Sequence, residues 1–479
     1  MPTQTAITHI AGTFLIHAQG AFLNGAGLGQ GDDRNVTIPK TFRDGRGGEV
    51  PYVSAQAWKR WLRNTAVEEA GWAPSEVQAI GWSTRGTVNK IAGELNPVEF
   101  PEDDIFGYMR ATKGQGQTAD APDEDAGEES DTEKAKTRAI MRASPFAASL
   151  LMSLRSRDWR GQDEGFVHLT KFDPKALAEA EIGRFLTAVS PNLSSSEKRR
   201  KQPADVWKLL QDFDKKLAES VKQLSEQHDL DGVRKTLAER AVALTNKGVD
   251  FIENATSPLP YKTRFYSTHL QAVFCLDYAR LGVFWNLGDR IELEPAKVKE
   301  LLARKTIRDI TNEEPYKTLS RDGALGKIYA LTDDTQRKSR ASALLRSLAV
   351  LRGGAKQAQF GTDVAPKVIV LAGLTCGNPI FNQLFADADE GPRLKVATFK
   401  EILADYSDRI VTPVFVGMRA GYLSNENEVA GLQGFYYADG KNGLVKLESP
   451  PEPVQSGASF EIRITSPIQA AKEFGDLLN

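Results

Sequence analysis

The sequence predicts a mixed α+β fold with long insertions, on three observations. Residues 8–19 and 266–277 alternate apolar and polar side chains with a period of two, the pattern of β-strands. Residues 206–224 and 341–351 instead repeat apolar side chains every three or four positions, as amphipathic helices do. Strand and helix patterns are interleaved along all 479 residues, without an internal repeat.

The elements follow in order. In the first strand, Ile10, Gly12, Phe14, Ile16 and Ala18 share one face, with His9, Thr13, His17 and Gln19 on the other, so it reads as half-buried. The glycine-rich run 20–31 reads as a loop. Ser54 stands where an N-cap belongs, ahead of a helix through Ala57, Trp58, Trp61 and Leu62. Lys59 and Arg63, four apart, share one face of that helix. Residues 114–133 carry eight acids, no base and only three alanines as apolar residues, which reads as a disordered loop. Val206 to Leu224 and Leu230 to Leu244 form a helical hairpin inserted off the main sheet. Tyr266, Thr268, Leu270, Ala272, Phe274 and Leu276 then alternate with Ser267, His269, Gln271 and Asp277 as a second long strand. Ala341, Leu344, Leu345, Leu348 and Leu351 mark a helix that also carries Arg340, Arg346 and Arg352. Gly353-Gly354 stops it, and a buried strand begins over Lys367 to Leu371.

Several function classes drop out. No apolar run approaches the roughly 20 residues that span a bilayer, and the N-terminus lacks a basic start followed by an apolar stretch, so a cytoplasmic location is expected. Cys275 and Cys376 are isolated and the five histidines are scattered, which argues against a disulfide scaffold and a zinc motif. The glycines at 25–31 do not form a dinucleotide turn, because Val36-Thr37-Ile38-Pro39 follows where a helix should open, and no Gly-Lys-Ser/Thr phosphate loop occurs. His9, His17 and His269 fall on polar strand faces and read as exposed, and no serine or cysteine sits in a nucleophile elbow. Asp32-Asp33 could hold a divalent ion or act on a ribose 2′-hydroxyl, although pairing with Arg34 accounts for the pair more simply.

The net charge of −2 argues at first against nucleic acid, but the charge is segregated. Setting aside the eight acids of 114–133 moves the remainder from −2 to +6. Bases cluster over 34–63 (seven, against Asp44 and Glu49), 134–160 (seven, against Asp158) and 337–356 (six, against none). Three acid-poor clusters, each beside Gly or Ser, point toward a groove for a polyanion.

The stretch Leu23-Asn24, Arg34-Asn35, Pro39-Lys40-Thr41-Phe42 and Val50 to Arg63 resembles a known signature. It is similar to the N-terminal region of the backbone subunit of type I CRISPR surveillance complexes (Cascade), the seventh group of CRISPR-associated proteins in the RAMP superfamily. Within that family it looks most like the DevR-type branch of subtype I-B. Members follow an Asn-containing glycine loop with Pro-Lys and then a Ser-x-Gln-x-x-Lys/Arg-Arg-x-x-Arg helix, here Ser54 to Arg63. Pro260-Tyr261, Phe265-Tyr266, Phe274-Cys275-Leu276-Asp277 and Leu281 to Phe284 resemble the family's central strand and turn. Gly353-Gly354-Ala355-Lys356 resembles its glycine-rich basic turn.

The resemblance implies a modified RRM (ferredoxin-like) palm with a helical finger insertion and a β-hairpin thumb. The expected layout is 1–80 palm, 81–140 a thumb-like hairpin with the acidic loop at 114–133, 141–175 palm, 176–250 helical finger insertion, and 251–479 palm. It implies a non-enzymatic protein with no cofactor and no membrane partner. Such a protein binds CRISPR RNA of any sequence and polymerises with other copies of itself into a helical filament. It displays the guide for pairing with target DNA in antiviral defence, beside the repeat-handle-binding, large and small subunits of Cascade. Holding any guide requires contacts to phosphate and ribose rather than base edges. The candidate RNA-binding residues are Asn24, Gly25, Arg34, Lys40, Arg43, Gln56, Lys59, Arg60, Arg63, Arg142, Arg352, Gly353, Gly354 and Lys356. The alternative is a type III-like endonuclease that cuts target RNA with Asp32 or Asp33. A repeat-cleaving endoribonuclease fits poorly, since the C-terminus from Pro467 lacks the glycine-rich RNA loop of such enzymes. A DNA-reading regulator fits poorly too, because the Trp58–Arg63 helix lacks a base-reading pattern.

Overall fold

The computed structural model describes residues 7–31, 34–75, 77–82, 88–93, 95–111, 139–166, 261–439, 443–449 and 459–478, with scattered positions between 215 and 236. The chain divides into two compact units, Met1–Glu164 with Thr263–Asn479, and Gly165–Lys262. In the second unit, the described residues Lys215, Glu219, Ser220, Gln223, Leu224, Lys235 and Thr236 are helical. The helical insertion expected over 176–250 falls within that interval, and most of it lies outside the described residues, as does the acidic stretch 114–133.

The larger unit is mixed α+β and is built around one strand, His9–Ala21. On one side it pairs antiparallel with Tyr261–Asp277, matching His9 to Asp277 and His17 to His269. On the other it pairs antiparallel with Val368–Leu374, matching His9 to Leu374 and Leu15 to Val368. Beyond Tyr261–Asp277 lie Phe146–Ala148 and Leu151–Ser153, then Glu49–Val53 and the edge strand Thr41–Arg43. Beyond Val368–Leu374 come Val414–Met418, Ser459–Thr465, Gly434–Asp439 and Gly443–Leu447. A second sheet joins Ile307–Asp309, Gly326–Leu331, Val283–Leu287, Arg290–Ile291, Ala139–Arg142 and Tyr108–Ala111. Val77–Trp82 and Val88–Gly93 pair with each other as a separate antiparallel hairpin, which straddles the expected boundary at 80 between palm and thumb.

Helix Ala55–Ala70 follows the central strand, and helix Asp334–Ala349 precedes Val368–Leu374. The first buries Trp58, Leu62, Thr65 and Ala66, spaced at helical intervals, and stops at Gly71 in the left-handed region. The Trp58 ring meets Phe14 edge-on at 5.3 Å and Phe146 at 5.8 Å, while its Nε1 donates to the Ser149 carbonyl at 2.8 Å. Both helices, together with Pro467–Leu478, cover the face formed by Ile10, Phe14, Ile16 and Ala18. The opposite face, with Ala11, Leu15, Val368 and Val370, is covered by helix Val396–Asp405 and Phe381.

Three local expectations are corrected. The central strand is not half-buried, because a second layer closes over its polar face and the polar side chains satisfy one another there. Thr13 Oγ1 donates to the Ala272 carbonyl at 2.8 Å and accepts from Gln271 Nε2 at 3.0 Å. His17 and His269 are not exposed side chains either. Their rings stack at 4.7 Å, and His269 Nδ1 shares a hydrogen bond with the Tyr422 hydroxyl at 2.8 Å. Finally, Gly25–Leu28 is no loop but a short strand antiparallel to Val36–Pro39, with a bulge between Gly25 and Gly27. Glycine removes the side-chain pattern that would announce a strand, yet leaves the backbone free to pair.

Candidate nucleic-acid interface

The three segments singled out by motif, at 23–25, 54–63 and 353–356, meet at the Ala21 end of the central strand. Asn24 Oδ1 accepts from the Ser54 backbone N–H at 3.1 Å, so the loop side chain, rather than the serine hydroxyl, caps this helix entry. The Asn24 carbonyl accepts from Lys40 N–H at 2.9 Å, and the Lys40 carbonyl accepts from Tyr52 N–H at 3.0 Å. The Ala355 N–H donates to the Leu23 carbonyl at 2.9 Å, which draws the glycine turn onto the same point. That turn demands glycine. Gly353 and Gly354 have φ of +153° and +109°, and a Cβ would fall 2.2 Å from Trp61 Cγ at the first and 2.8 Å from Leu23 Cδ2 at the second. Lys356 follows in the left-handed region and donates to Thr263 Oγ1, with its ammonium 5.3 Å from the Phe22 ring centre. Burial lowers its pKa.

Lys40, Gln56 and Arg60 lie on the segments that meet here, while Arg34 lies in the turn between Gly25–Leu28 and Val36–Pro39, and Arg43 on the edge strand. Lys40 is half-buried and the other four are exposed. Among the described residues, none of the five side chains makes an ion pair or a hydrogen bond. Gln56 and Arg60, four apart, share a helix face. Phe42, exposed beside Arg43, packs edge-on to Tyr52 at 5.8 Å. This aromatic pair was missed in the sequence, although the Lys40-Thr41-Phe42-Arg43 alternation of base and ring was its signal.

Four other candidates already have partners within the protein, and for the buried Arg142 the expectation is corrected. Lys59 donates to Ser144 Oγ at 3.0 Å and to the Phe146 carbonyl at 2.8 Å, and burial lowers its pKa. Arg63 pairs with Glu102 and, at 3.5 Å, with Asp103. Arg352 pairs with Glu68 at 2.8 Å and Glu69 at 2.6 Å. Arg142 is 1% exposed and cannot reach a ligand. Its five N–H donors are all used: Nε to the Asp104 carbonyl, Nη1 to the Val283 carbonyl and Glu292, and Nη2 to the Asp104 carboxylate and the Arg280 carbonyl.

Arg142 belongs to a buried ionic network that local charge counts did not reveal. Asp104 also accepts from Arg340 at 2.7 Å and from Gly282 N–H at 2.9 Å. Glu292 also accepts from Arg280 and Arg290, both at 2.8 Å, and from Trp285 N–H at 3.0 Å. The network ties the short helix Pro101–Phe106 to the second sheet and to helix Asp334–Ala349.

Asp32 and Asp33 lie outside the described residues. Among the described residues, no group of three His, Cys, Asp or Glu side chains could hold a metal ion, and no helix is long and apolar enough to cross a membrane.

No family model matches the sequence, and no curated protein matches it. Two of the solved structures with distant similarity are these. One is a chain of a "CRISPR RNA-guided surveillance complex, pre-nicking", with a TM-score of 0.39 and 8% identity over 98% of this chain and 100% of that one. The other is a chain of a "CRISPR RNA-guided surveillance complex", with a TM-score of 0.35 and 10% identity over the same shares. At these scores neither likeness carries an argument, and the functional reading rests on the residues.

Proposed function

We propose that this protein is a sequence-independent RNA-binding subunit, the repeating backbone that holds CRISPR RNA in a type I Cascade complex, DevR-type and I-B-like. The observation that carries the reading is the meeting of the Asn24 loop, the Ser54–Arg63 helix and the Gly353-Gly354 turn, with five polar and basic side chains on these and adjoining segments that have no ion pair or hydrogen bond among the described residues. Its character suits phosphate and ribose: cations and an amide carried on hydrogen-bonded strands and a packed helix. A ferredoxin-like palm is supported by the strand order Val368–Leu374, His9–Ala21, Tyr261–Asp277, Leu151–Ser153, with a helix after the first strand in sequence and another before the last. In this reading the protein polymerises along the guide beside the repeat-handle-binding, large and small subunits, and presents the guide to target DNA. It does not cut RNA.

The test replaces Lys40 and Arg60 together by Ala and titrates two unrelated single-stranded RNAs of equal length. Loss of two phosphate contacts flattens the slope of log affinity against log salt by about 1.4, at about 0.7 per contact, and does so equally for both RNAs. An unchanged slope refutes the interface. A loss confined to one RNA refutes sequence independence.

A further inference from the structure

A second site lies at the other end of the central strand, near His9, about 40 Å along the chain direction from the junction described above. Here a cleft of about 320 Å³ is lined by His9, Ser144, Asp277, Arg280, Trp285 and Arg290 among others. That volume lies within the range of clefts that hold small ligands, about 300–1,000 Å³.

Two observations indicate what the cleft lacks. The first is charge. The network beside it sets four guanidiniums, Arg142, Arg280, Arg290 and Arg340, against two carboxylates, Asp104 and Glu292. Glu292 alone serves three of the four. Asp277, which accepts from the Arg280 backbone N–H at 3.2 Å and lies 3.9 Å from His9 Nε2, offsets only part of the surplus. The pKa of Arg280 falls to about 10 through burial, despite Glu292.

The second observation is hydrogen bonding. Arg280 Nη1 and Trp285 Nε1 are both buried and have no acceptor among the described residues. Native folds rarely leave a buried donor unpaired, and here two occur on neighbouring groups: the Arg280 guanidinium lies 3.5 Å from the Trp285 ring centre. The Arg290 guanidinium lies 4.9 Å from the same centre. Excess positive charge and orphaned donors at one cleft call for the same thing, an anion with several acceptor oxygens. A phosphate group fits the forked donors of arginine and can accept from an indole N–H at the same time.

We propose that this cleft is a phosphate-binding site, taking the phosphate group of a nucleotide or of a nucleic-acid strand against Arg280, Trp285 and Arg290. It is separate from the junction at Asn24 and does not depend on that reading. A small side-chain adjustment on binding turns the two buried donors onto the ligand.

Calorimetric titration of the full chain at constant ionic strength tests it. The probes are inorganic phosphate, adenosine 5′-monophosphate, an eight-nucleotide RNA with and without a 5′-phosphate, and acetate. Phosphate and the nucleotide are expected to bind at one saturable site, and acetate at least tenfold more weakly. Trp285→Phe keeps the ring but removes its donor, and Arg290→Gln removes a half-exposed charge. Each should weaken phosphate binding about tenfold, as loss of a charge-assisted hydrogen bond does. A tenfold dependence of RNA affinity on its 5′-phosphate, lost in both variants, identifies a strand end as the source. Tight nucleotide binding without that dependence identifies a free nucleotide. The proposal is overturned by acetate binding as well as phosphate, by no saturable phosphate binding to a chain with a folded circular dichroism spectrum, or by unchanged affinity in both variants. The phosphate arm contains no RNA, so its failure leaves the Lys40 and Arg60 salt experiment untouched.

Discussion

Replacing Arg142 by Met separates a structural cation from a ligand-binding one. The guanidinium is 1% exposed and sends its five N–H groups to five acceptors in the network. Met fills much of the volume but supplies no donor. Asp104 keeps Arg340, and Glu292 keeps Arg280 and Arg290, so neither carboxylate is left without a counter-charge. The carbonyls of Asp104, Val283 and Arg280 do lose a buried donor. Breaking a buried ion pair from one side costs about 3–5 kcal/mol. The retained counter-charges place Arg142→Met at the lower end, about 3 kcal/mol, or roughly a hundredfold in the unfolding constant. Urea unfolding followed by tryptophan fluorescence should show the midpoint falling by about 1 M, for a slope of about 3 kcal/mol per molar. The RNA salt slope of the folded variant should match wild type. A wild-type midpoint with a slope flattened by about 0.7 would place Arg142 on a phosphate and refute the reasoning.

Two further outcomes follow from the geometry. Gly353→Ala puts a Cβ 2.2 Å from Trp61 Cγ at a φ of +153°, so either the turn or the indole must move. It should destabilise the protein by about 2–3 kcal/mol and weaken RNA binding, measured by thermal melting and titration; wild-type values for both would refute the junction's dependence on that glycine. Burial and the adjacent His17 hold the His269 imidazole at about 4, below its ordinary value. The unfolded chain therefore takes up this proton near pH 6.5 and the folded chain only near pH 4, so stability rises with pH between those values and is level above them. Screening at a half-buried ring limits the effect to about 1–2 kcal/mol. The difference in urea-unfolding free energy between pH 7 and pH 4.5 should shrink by that amount in His269→Gln, and an identical pH profile in the variant would contradict it.

The elements legible in the sequence were those whose side chains carry a period. The central strand, the Ala55–Ala70 helix, the Tyr261–Asp277 strand and the Asp334–Ala349 helix all announce themselves through apolar spacing. What spacing could not reveal was the layer over the second face of the sheet, because Thr13, His17, Gln271 and His269 look solvent-directed until their partners are known. The glycine strand Gly25–Leu28 was invisible for the opposite reason, since its pairing is carried by the backbone alone. At the candidate interface, Asn24, Gly353 and Gly354 were identifiable by residue type, whereas Trp61 and Leu23, against which the turn closes, required the tertiary contact.

Basic clusters misled most, and phase explains why. The acids that neutralise them come from far along the chain: Arg352 meets Glu69 across 283 residues and Arg340 meets Asp104 across 236. No local count can see such a partner. Periodicity, however, already separates the two kinds of base. Arg340 lies four and eight residues before Leu344 and Leu348, on the stripe that located the helix, so its guanidinium is carried into the core with them. Arg142 alternates with the exposed Met141 on its strand and points inward. Gln56 and Arg60 fall off the Trp58–Leu62 stripe of their helix, and Arg43 lies at a sheet edge, so their polar groups stay in solvent. An arginine in phase with the apolar stripe has to be matched by a buried carboxylate, because an unpaired charge there would unfold the element that carries it. Arg337, Arg340, Arg346 and Arg352 each have an acidic partner. The cluster at 337–356, which held no acid of its own, therefore contributes less positive field than Arg34, Lys40, Arg43 and Arg60, whose side chains have no ion pair or hydrogen bond among the described residues.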